Sequence, residues 1–488
     1  MVPVDALVQA GDVTRPSAAA TWDRTEIFLA IGAFAVLCIA VLSFAPYLLE
    51  PDDYAYRASI VAMAQGHFLT LSAAQAHALA RQLAGGHWSV IGQAAPPIAQ
   101  WVRLPSGRWI SEKDPGYPFL AAPFQALGII RLAPLFYGAL GCLGLFAGAR
   151  RWLGRFGGAA AVGLFCSSGA ALLFAWRDYM PTFTEASLIA AGTGALLWAV
   201  LAAEATARRR TWAGLGGFVA LEAAVFVRYT DIVVLGCAVV AVAVAWRLRS
   251  ARLPSAALAW WLGSVALFGA GVAVFDDLVY GGPLTSGYAP GEIRFSLGAI
   301  VPNFRYMPGH LVEAMPVLVL GLAALAWITG RRVSLRLAGG EPAALARRDF
   351  AVSFALAASW LSVWGLYSAY TWTAQPFGGT LQVVRFYVPA IGAIALLGAW
   401  LVVRVPRRAA LAAVTSAAVV VAMFGLGIWS FDSMRQSPSP NGHHRGGPAR
   451  GVRPAGEVSP AAMSVENATA FCCSKADSLS LSASVTRP

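Results

Sequence analysis

Two adjacent acidic side chains, Asp52 and Asp53, follow the first long apolar run of the chain, within the sequence Glu50-Pro51-Asp52-Asp53-Tyr54. Two carboxylates this close repel each other, and they are poorly solvated beside a membrane. Such surroundings can raise one pKa and leave a carboxylate poised as a base. A helix cap is the alternative interpretation, because Asp is common at helix N-termini. Position alone leaves both interpretations open.

A single lysine, Lys113, lies in a second polar segment, Ser111-Glu112-Lys113-Asp114-Pro115-Gly116-Tyr117-Pro118. The other lysine of the chain is Lys475, and every other strongly basic residue is an arginine. An isolated lysine therefore suggests a need for a compact cation, and phosphate binding is one such need. An ordinary loop cation is the alternative.

Further charged residues stand at the ends of later apolar runs or inside them. They are Arg177, Asp178, Glu185, Glu222, Arg228, Asp231 and Arg385. Ionisable groups at such depths are costly in a membrane and are often functional. Each one alone could form a structural ion pair. Their collection on one side of the predicted membrane, opposite the basic loops, favours a common site.

The elements that must position these residues are membrane helices, as the composition indicates. Of 488 residues, 58% are hydrophobic and 12% are charged, whereas a soluble domain carries about 25% charge. This excludes soluble multidomain enzymes, disordered scaffolds, collagen-like chains and disulfide-rich secreted proteins. The net charge of +12 does not indicate nucleic-acid binding, because the arginines fall in short clusters between apolar runs, as in cytoplasmic loops.

The hydropathy pattern predicts an all-α polytopic membrane protein with about 11 spans, within a range of 10–13. A span needs about 20 apolar residues. A shorter apolar stretch, 117–130, is predicted to be re-entrant, interfacial or a short extra span. The predicted spans are 27–49, 131–149, 157–176, 182–203, 212–228, 232–246, 257–275, 312–328, 350–370, 386–403 and 409–430.

Arginine clusters follow every second predicted span, which fixes the expected orientation in the plasma membrane. Because basic loops stay in the cytoplasm, the segment 1–25 is predicted to be cytoplasmic. The transmembrane domain is predicted over 26–430, with a large first outer loop at 50–117 that holds two interfacial helices. The remainder, 431–488, is predicted to be a disordered outer tail because it has no periodic apolar pattern.

Five groups of residues occur in a set order on the predicted outer side. They resemble motifs of the GT-C superfamily of membrane glycosyltransferases, and most closely its family 39, protein-mannosyltransferase-like branch. Where this chain has Asp53, these families often have Glu. The resembling segments are Asp52-Asp53-Tyr54-Ala55-Tyr56 with Ala64-Gln65-Gly66-His67-Phe68, Lys113-Asp114-Pro115-Gly116-Tyr117-Pro118, Arg228-Tyr229-Thr230, Tyr280-Gly281-Gly282-Pro283-Leu284-Thr285-Ser286-Gly287-Tyr288, and Gly378-Gly379-Thr380 with Arg385-Phe386-Tyr387.

The resemblance implies a GT-C-like fold and an inverting sugar transfer from a polyprenyl-phosphate donor to an acceptor hydroxyl at the outer face. Asp52 would be the general base, with Asp53 beside it as a second catalytic or positioning group. No divalent metal or other cofactor is expected. The implied acceptor is a glycan, lipid or protein. The residues implied to bind substrate are Lys113, Arg228, Arg385, Tyr288, His67 and Asp178.

Two other functions fit the same composition. A transporter or lipid flippase would also have about eleven spans. Transporters commonly show inverted repeats, whereas this sequence has no obvious internal repeat. The large first outer loop also argues against a transporter. A non-catalytic subunit of an envelope polysaccharide assembly would keep the fold but tolerate loss of Asp52 and Lys113. The sequence specifies neither the sugar nor the acceptor.

Overall fold

A computed structural model describes residues 23–45, 51–84, 98, 100–247, 253–288, 293–337, 344–374, 381–406 and 409–436. Most of the predicted cytoplasmic segment 1–25, most of the predicted tail 431–488 and the motif residues Gly378-Gly379-Thr380 therefore lie outside the described residues.

The described chain is almost entirely helical, and one short hairpin is its only sheet. The helices are α1 Arg24–Leu42, α2 Pro51–Ala64, α3 Ala73–Ala84, α4 Gly116–Ala126, α5 Leu132–Leu153, α6 Gly157–Cys166, α7 Gly169–Trp176, α8 Thr182–Leu201, α9 Ala207–Val227, α10 Ile232–Arg247, α11 Ser255–Tyr280, α12 Ile300–Ala314, α13 Val317–Leu337, α14 Ala344–Ser368, α15 Ile391–Arg404 and α16 Ala409–Gln436. The strands are β1 Trp101–Arg103 and β2 Trp109–Ser111.

The predicted fold class, an all-α polytopic membrane protein, is confirmed. Within the described residues, nine helices are long and apolar enough to cross a membrane. One more predicted span is the pair α6 and α7, which meet at an angle of 61°. Another is the shorter apolar helix Val388–Arg404. Every predicted span thus coincides with a helix or a helix pair, because a chain inside a bilayer must satisfy its backbone hydrogen bonds within each segment.

Small residues bring α5 and α8 close together in the centre of the helix bundle. A Cβ atom on Gly141 would lie 2.9 Å from the backbone oxygen of Ser187, and one on Gly148 would lie 2.6 Å from that of Gly194. Backbones this close gain van der Waals contact, which stabilises helix pairs in a bilayer, where the hydrophobic effect contributes little to their association. Helices α5 and α8 are therefore a closely packed pair in the bundle.

The arginine-rich helix ends converge at one end of the bundle. Arg348 and Arg404 each donate a hydrogen bond of 3.1 Å to the backbone oxygen of Trp152. The indole nitrogens of Trp152 and Trp400 donate to the carboxylate of Asp349 at 2.9 and 3.0 Å. The ends of α5, α14 and α15 beside three of the predicted basic loops therefore meet at one end of the bundle.

The described part of the first long loop, residues 51–84, 98 and 100–117, folds into a small unit with its own core. The two predicted interfacial helices are α2 and α3, and an unpredicted hairpin of β1 and β2 follows them. Trp101 pairs with Ser111 and Arg103 with Trp109. A separate cluster of buried side chains holds α2, α3 and the hairpin together: Ala58, Val61, Ala62, Leu71, Ala76, Leu79, Ala80, Ile98 and Trp101.

Three segments refine the predicted boundaries. The stretch 117–130, predicted to be re-entrant, interfacial or a short extra span, contains most of the short helix α4, which at 11 residues is too short to span. The second long loop contains the amphipathic helix α12. The last helix, α16, continues to Gln436, past the expected end of the membrane domain at 430.

Candidate functional site

Asp52 lies in the first turn of α2, which begins with Pro51 and carries both acidic residues there. Proline suits the first helical position, and carboxylates are stabilised by the positive end of the helix dipole. Its carboxylate contacts two cations from distant parts of the chain. One oxygen lies 3.1 Å from Lys113 Nζ, and the other lies 2.9 Å from Arg385 Nη2.

Lys113 is positioned by the hairpin that precedes it. The backbone N–H of Glu112 donates to the carbonyl of Gln100 at 2.9 Å, which continues the hairpin ladder by one residue. The N–H of Lys113 then donates to Ser111 Oγ at 3.1 Å. The ammonium also lies 3.5 Å from the Glu112 carboxylate. The Lys113 side chain is 9% exposed, so the loop holds its ammonium group largely away from solvent.

Arg385 reaches Asp52 from the short 3-10 helix Leu381–Phe386, which leads into α15. Its guanidinium lies over the rings of Trp372 and Phe386, with centroid distances of 5.1 and 4.9 Å. Aromatic faces attract a guanidinium and restrict its orientation. The side chain is 6% exposed. Burial lowers the pKa of Arg385, but an arginine keeps its charge at neutral pH.

The second long loop joins the site through Tyr288, whose ring centre lies 5.0 Å from Lys113 Nζ. The preceding residue, Gly287, approaches the first loop so closely that a Cβ atom there would lie 2.5 Å from Glu112 Cα. Burial raises the pKa of Tyr288, so its hydroxyl stays neutral and can donate a hydrogen bond. The Gly-Tyr motif therefore packs directly on the lysine loop.

The charges of Asp52 and Lys113 stabilise each other. Burial raises the pKa of the Asp52 carboxyl, but the positive charge of Lys113 and a hydrogen bond from Gln100 outweigh it, so the pKa lies below its ordinary value. Burial likewise opposes the charge of Lys113, and the Asp52 carboxylate overcomes this and raises the lysine pKa. At neutral pH Asp52 is therefore an ionised carboxylate.

Asp53, the second predicted catalytic acid, points into a different environment. Its carboxylate lies 2.6 Å from Arg177 Nη2 and 3.3 Å from Arg177 Nε. The Asp53 and Arg177 side chains are 1% and 0% exposed. Arg177 caps the end of α7, so this buried pair ties the first turn of α2 to the membrane domain. Its geometry is that of a positioning residue.

Asp178 lies beside this ion pair. Its backbone oxygen accepts a hydrogen bond from the hydroxyl of Tyr117. Burial raises the pKa of the Asp178 carboxyl to about 7, with Arg131 opposing the rise and Asp53 adding to it. Its predicted role in substrate binding stays a prediction.

Arg228 lies next to the Asp52 cluster. Its Nη1 atom lies 3.1 Å from Glu185 Oε2. The guanidinium stands 5.5 Å from the centre of the Phe386 ring, which Arg385 also contacts. The two arginines thus share one aromatic ring, which places a third cation beside Lys113 and Arg385.

Asp114 follows Lys113 and faces the same arginine. Burial raises the pKa of its carboxyl to about 7, while Arg228, a hydrogen bond from the backbone of Tyr229 and Lys113 oppose that rise. A carboxyl with such a pKa changes charge near neutral pH, which is useful for a group that exchanges protons.

His67 stands apart from the cluster. Asp52 lies in the first turn of α2, whereas His67 lies beyond the far end of that helix, which rises about 18 Å from Asp52 to its last residue at 1.5 Å per residue. Its ring nitrogen Nδ1 lies 3.4 Å from Gln75 Nε2. Its predicted contact with substrate stays a prediction, and its observed neighbour belongs to α3.

Two residues of the site were not singled out in the sequence as binding groups. Gln100 hydrogen-bonds to the Asp52 carboxylate and has a backbone φ of 58°. A non-glycine residue in this left-handed region is uncommon and often marks a functional position. Arg177 was noted as a charged residue at a span end, but its partner Asp53 could not be identified because the two are 124 residues apart.

The arrangement joins one ionised carboxylate to a group of cations in an enclosed, partly aromatic place. The carboxylate can accept a proton from a hydroxyl, and the cations can stabilise negative charge on a phosphate. Within the part of the chain that the structure describes, no three His, Cys, Asp or Glu side chains are arranged to hold a metal ion. The expected independence from a divalent metal stays a prediction.

No family model and no curated protein matches the sequence. The fold is similar to ArnT from Cupriavidus metallidurans bound to undecaprenyl phosphate, with a TM-score of 0.47, 16% identity, and coverage of 83% of this chain and 64% of ArnT. It is also similar to the apo oligosaccharyltransferase of Archaeoglobus fulgidus, with a TM-score of 0.46, 12% identity, and coverage of 87% and 57%.

This chain spans less than two thirds of the length of either protein. At these identities the likeness concerns the arrangement of helices alone. The roles of individual residues are therefore argued from the contacts of this chain.

Proposed function

We propose that this protein transfers a sugar from a polyprenyl-phosphate donor to an acceptor hydroxyl at the outer face of the membrane, with inversion at the sugar carbon. Asp52 is the general base. Lys113, Arg385 and Arg228 hold the phosphate that leaves. The acceptor is a glycan, a lipid or a protein.

One observation carries this proposal: the Asp52 carboxylate lies within 3.1 Å of the charged nitrogens of both Lys113 and Arg385, although the three residues come from distant segments. The carboxylate is ionised at neutral pH, so it can accept a proton without first losing one. The two cations match the charge that develops on a leaving phosphate. A site that holds both a carboxylate base and cations able to bind a phosphate fits sugar transfer better than it fits passage of a solute.

The bonds and charges balance in a single displacement. The acceptor oxygen attacks the anomeric carbon while its proton passes to Asp52, and the bond from that carbon to the phosphate oxygen breaks. The electron pair stays on the phosphate, where Lys113 and Arg385 stabilise it. Since attack and departure occur on opposite faces of the carbon, the configuration inverts.

The location of the site fits a donor that is dissolved in the bilayer. The cluster lies where the first long loop meets the starts of α4, α10 and α15, at the opposite ends of α5, α14 and α15 from those where Arg348, Arg404 and Trp152 meet. If basic loops are cytoplasmic, the cluster faces outward. The N-terminus is then cytoplasmic and the C-terminus is outside.

The test is direct turnover by the purified full chain in detergent or liposomes. It is given polyprenyl-phosphate sugars and a mixture of glycan and lipid acceptors, and released polyprenyl phosphate and glycosylated product are measured. The expected result is turnover by the wild type that persists in a chelator. Asp52→Asn should lower the rate by about 10²–10⁴, the usual contribution of a general base.

The matched control is Asp277→Asn, which makes the same chemical change at an exposed residue near the end of α11. It should leave turnover at the wild-type rate. Full activity of Asp52→Asn would disprove the assignment of the base. Substrate flux into liposomes without a covalent product would instead favour the transporter, and no reaction with any lipid-linked donor would favour the non-catalytic subunit.

A further inference from the structure

The contacts of Asp52 raise a geometric conflict with the reaction proposed above. Its two carboxylate oxygens lie 3.1 and 2.9 Å from the cations of Lys113 and Arg385, so the base touches the groups that should hold the phosphate. The conflict exists only if these residues serve sugar transfer, and the inference below rests on that proposed function.

An inverting displacement needs space between the base and the leaving group. The acceptor oxygen, the sugar carbon and the phosphate oxygen must lie in line between them. In inverting glycoside hydrolases the same requirement separates the two functional carboxyl groups by about 6.5–9.5 Å. A base in direct contact with the phosphate-binding cations leaves no room for these three atoms.

We propose that the donor phosphate replaces the Asp52 carboxylate on Lys113 and Arg385, so that donor binding itself releases the base. Asp52 is then an internal anion that competes with the phosphate for the same two cations. The carboxylate becomes free to face the acceptor hydroxyl when the donor is in place. Donor binding and base activation are coupled by this exchange.

The neighbouring residues support an exchange at this carboxylate in particular. Asp53 is held by Arg177 in a pair that is almost fully buried, so it is not the anion that moves. Lys113 is also 3.5 Å from Glu112, and the loop that carries it is fixed by the hairpin, so the cation stays in place. Gln100 hydrogen-bonds to the Asp52 carboxylate and can hold it as the cations are taken over.

The exchange predicts an effect on binding that does not require catalysis. Asp52→Asn removes the competing charge but keeps the size of the side chain. Because hydrogen bonds to charged groups are the stronger ones, the variant should bind undecaprenyl phosphate about tenfold more tightly or better. A base that only contacts the acceptor would not have this effect.

The experiment measures the affinity of the purified full chain in nanodiscs for undecaprenyl phosphate and for the uncharged alcohol undecaprenol. Asp52→Asn should tighten binding of the phosphate and leave binding of the alcohol unchanged. Asp277→Asn is the control for a general loss of negative charge and should leave both affinities unchanged. Thermal unfolding of each variant checks that it is folded.

A double-mutant cycle with Lys113→Met separates exchange from simple repulsion between Asp52 and phosphate. Under exchange, the gain from Asp52→Asn shrinks severalfold when Lys113 is absent, because less cation remains to be released. Under simple repulsion the gain stays the same or grows. A constant or larger gain therefore overturns the proposal, as does equal binding by wild type and Asp52→Asn.

The outcomes also distinguish this inference from the proposed function. If neither the wild type nor Asp52→Asn binds the phosphate lipid more tightly than the alcohol, the donor class is wrong and both proposals fall. If the wild type binds the phosphate lipid and turns over, but Asp52→Asn gains no affinity, sugar transfer stands and the exchange is refuted.

Discussion

A substitution in the buried ion pair between Asp53 and Arg177 tests whether Asp53 positions helix α2 or takes part in the chemistry. Asp53→Asn keeps the shape of the side chain and removes its charge. Arg177 is then left as a buried cation whose closest carboxylate oxygens, at 2.6 and 3.3 Å, are lost. The variant should be destabilised and should lose activity only to the extent that α2 shifts.

The magnitude follows from the enclosure of the pair, whose side chains are 0% and 1% exposed. Removing one partner of a buried ion pair costs about 3–5 kcal/mol, because the other charge stays behind. Asn retains one acceptor oxygen, so we expect the lower end, about 3 kcal/mol. Each kcal/mol lowers the melting temperature by about 2–4 °C in domains of 150–250 residues, so the fall should amount to several degrees.

The assay follows thermal unfolding in detergent by tryptophan fluorescence, alongside sugar transfer. A second variant, Asp53→Leu with Arg177→Met, replaces both charges with apolar side chains. Such replacements are often neutral or stabilising, so the double variant should melt at a higher temperature than Asp53→Asn. It should also keep more activity than Asp52→Asn, since the base is intact.

The opposite pattern would refute the reasoning. If Asp53→Asn melts like the wild type and loses transfer as completely as Asp52→Asn, Asp53 takes part in the chemistry. If the apolar double variant is less stable than Asp53→Asn, the pair does more than tie α2 to α7.

Three further predictions concern neighbouring residues. Lys113→Met should lower kcat/KM by about 10²–10³, and it should move the acid limb of the kcat/KM profile to higher pH, because the lysine charge holds the Asp52 pKa down. Gly116→Ala should destabilise the fold, since its Cβ would lie against the backbone of Phe226 and Val227, whereas Gly216→Ala meets open space and should be neutral or stabilising. In the folded chain the pKa of the Asp114 carboxyl is raised to about 7, so the folded chain binds more protons than the unfolded chain from about pH 4 to 7. The free energy of unfolding should therefore fall as the pH rises through that window. Asp114→Asn should flatten this slope in a series of denaturation measurements at different pH values.

The sequence was most informative where the membrane limits the choice of structure. Helices α1, α5 and α11 could be identified because a bilayer admits only segments that satisfy their own backbone hydrogen bonds. The hairpin of β1 and β2 was missed, since three-residue strands give little periodic signal. It is nevertheless the element that positions Lys113.

The types of residue and their rarity also identified part of the site. The sequence indicated Asp52 as an acid at the end of a span and Lys113 as an isolated lysine, and in the structure the two are in contact. The separation of roles within the acidic pair could not be derived from the sequence. Successive residues on a helix point in directions about 100° apart, so Asp52 faces Lys113 while Asp53 faces Arg177.

The sequence by itself thus determined that this chain is a membrane protein, where its helices run and which few charges merit attention, because hydropathy and composition are properties of local segments. The tertiary structure alone decided which charges meet. Ion pairs such as Asp52 with Arg385 and Asp53 with Arg177 join segments far apart in the chain. Their formation depends on how the helices pack and where the first loop lies. The spacing of residues along one sequence specifies neither of these.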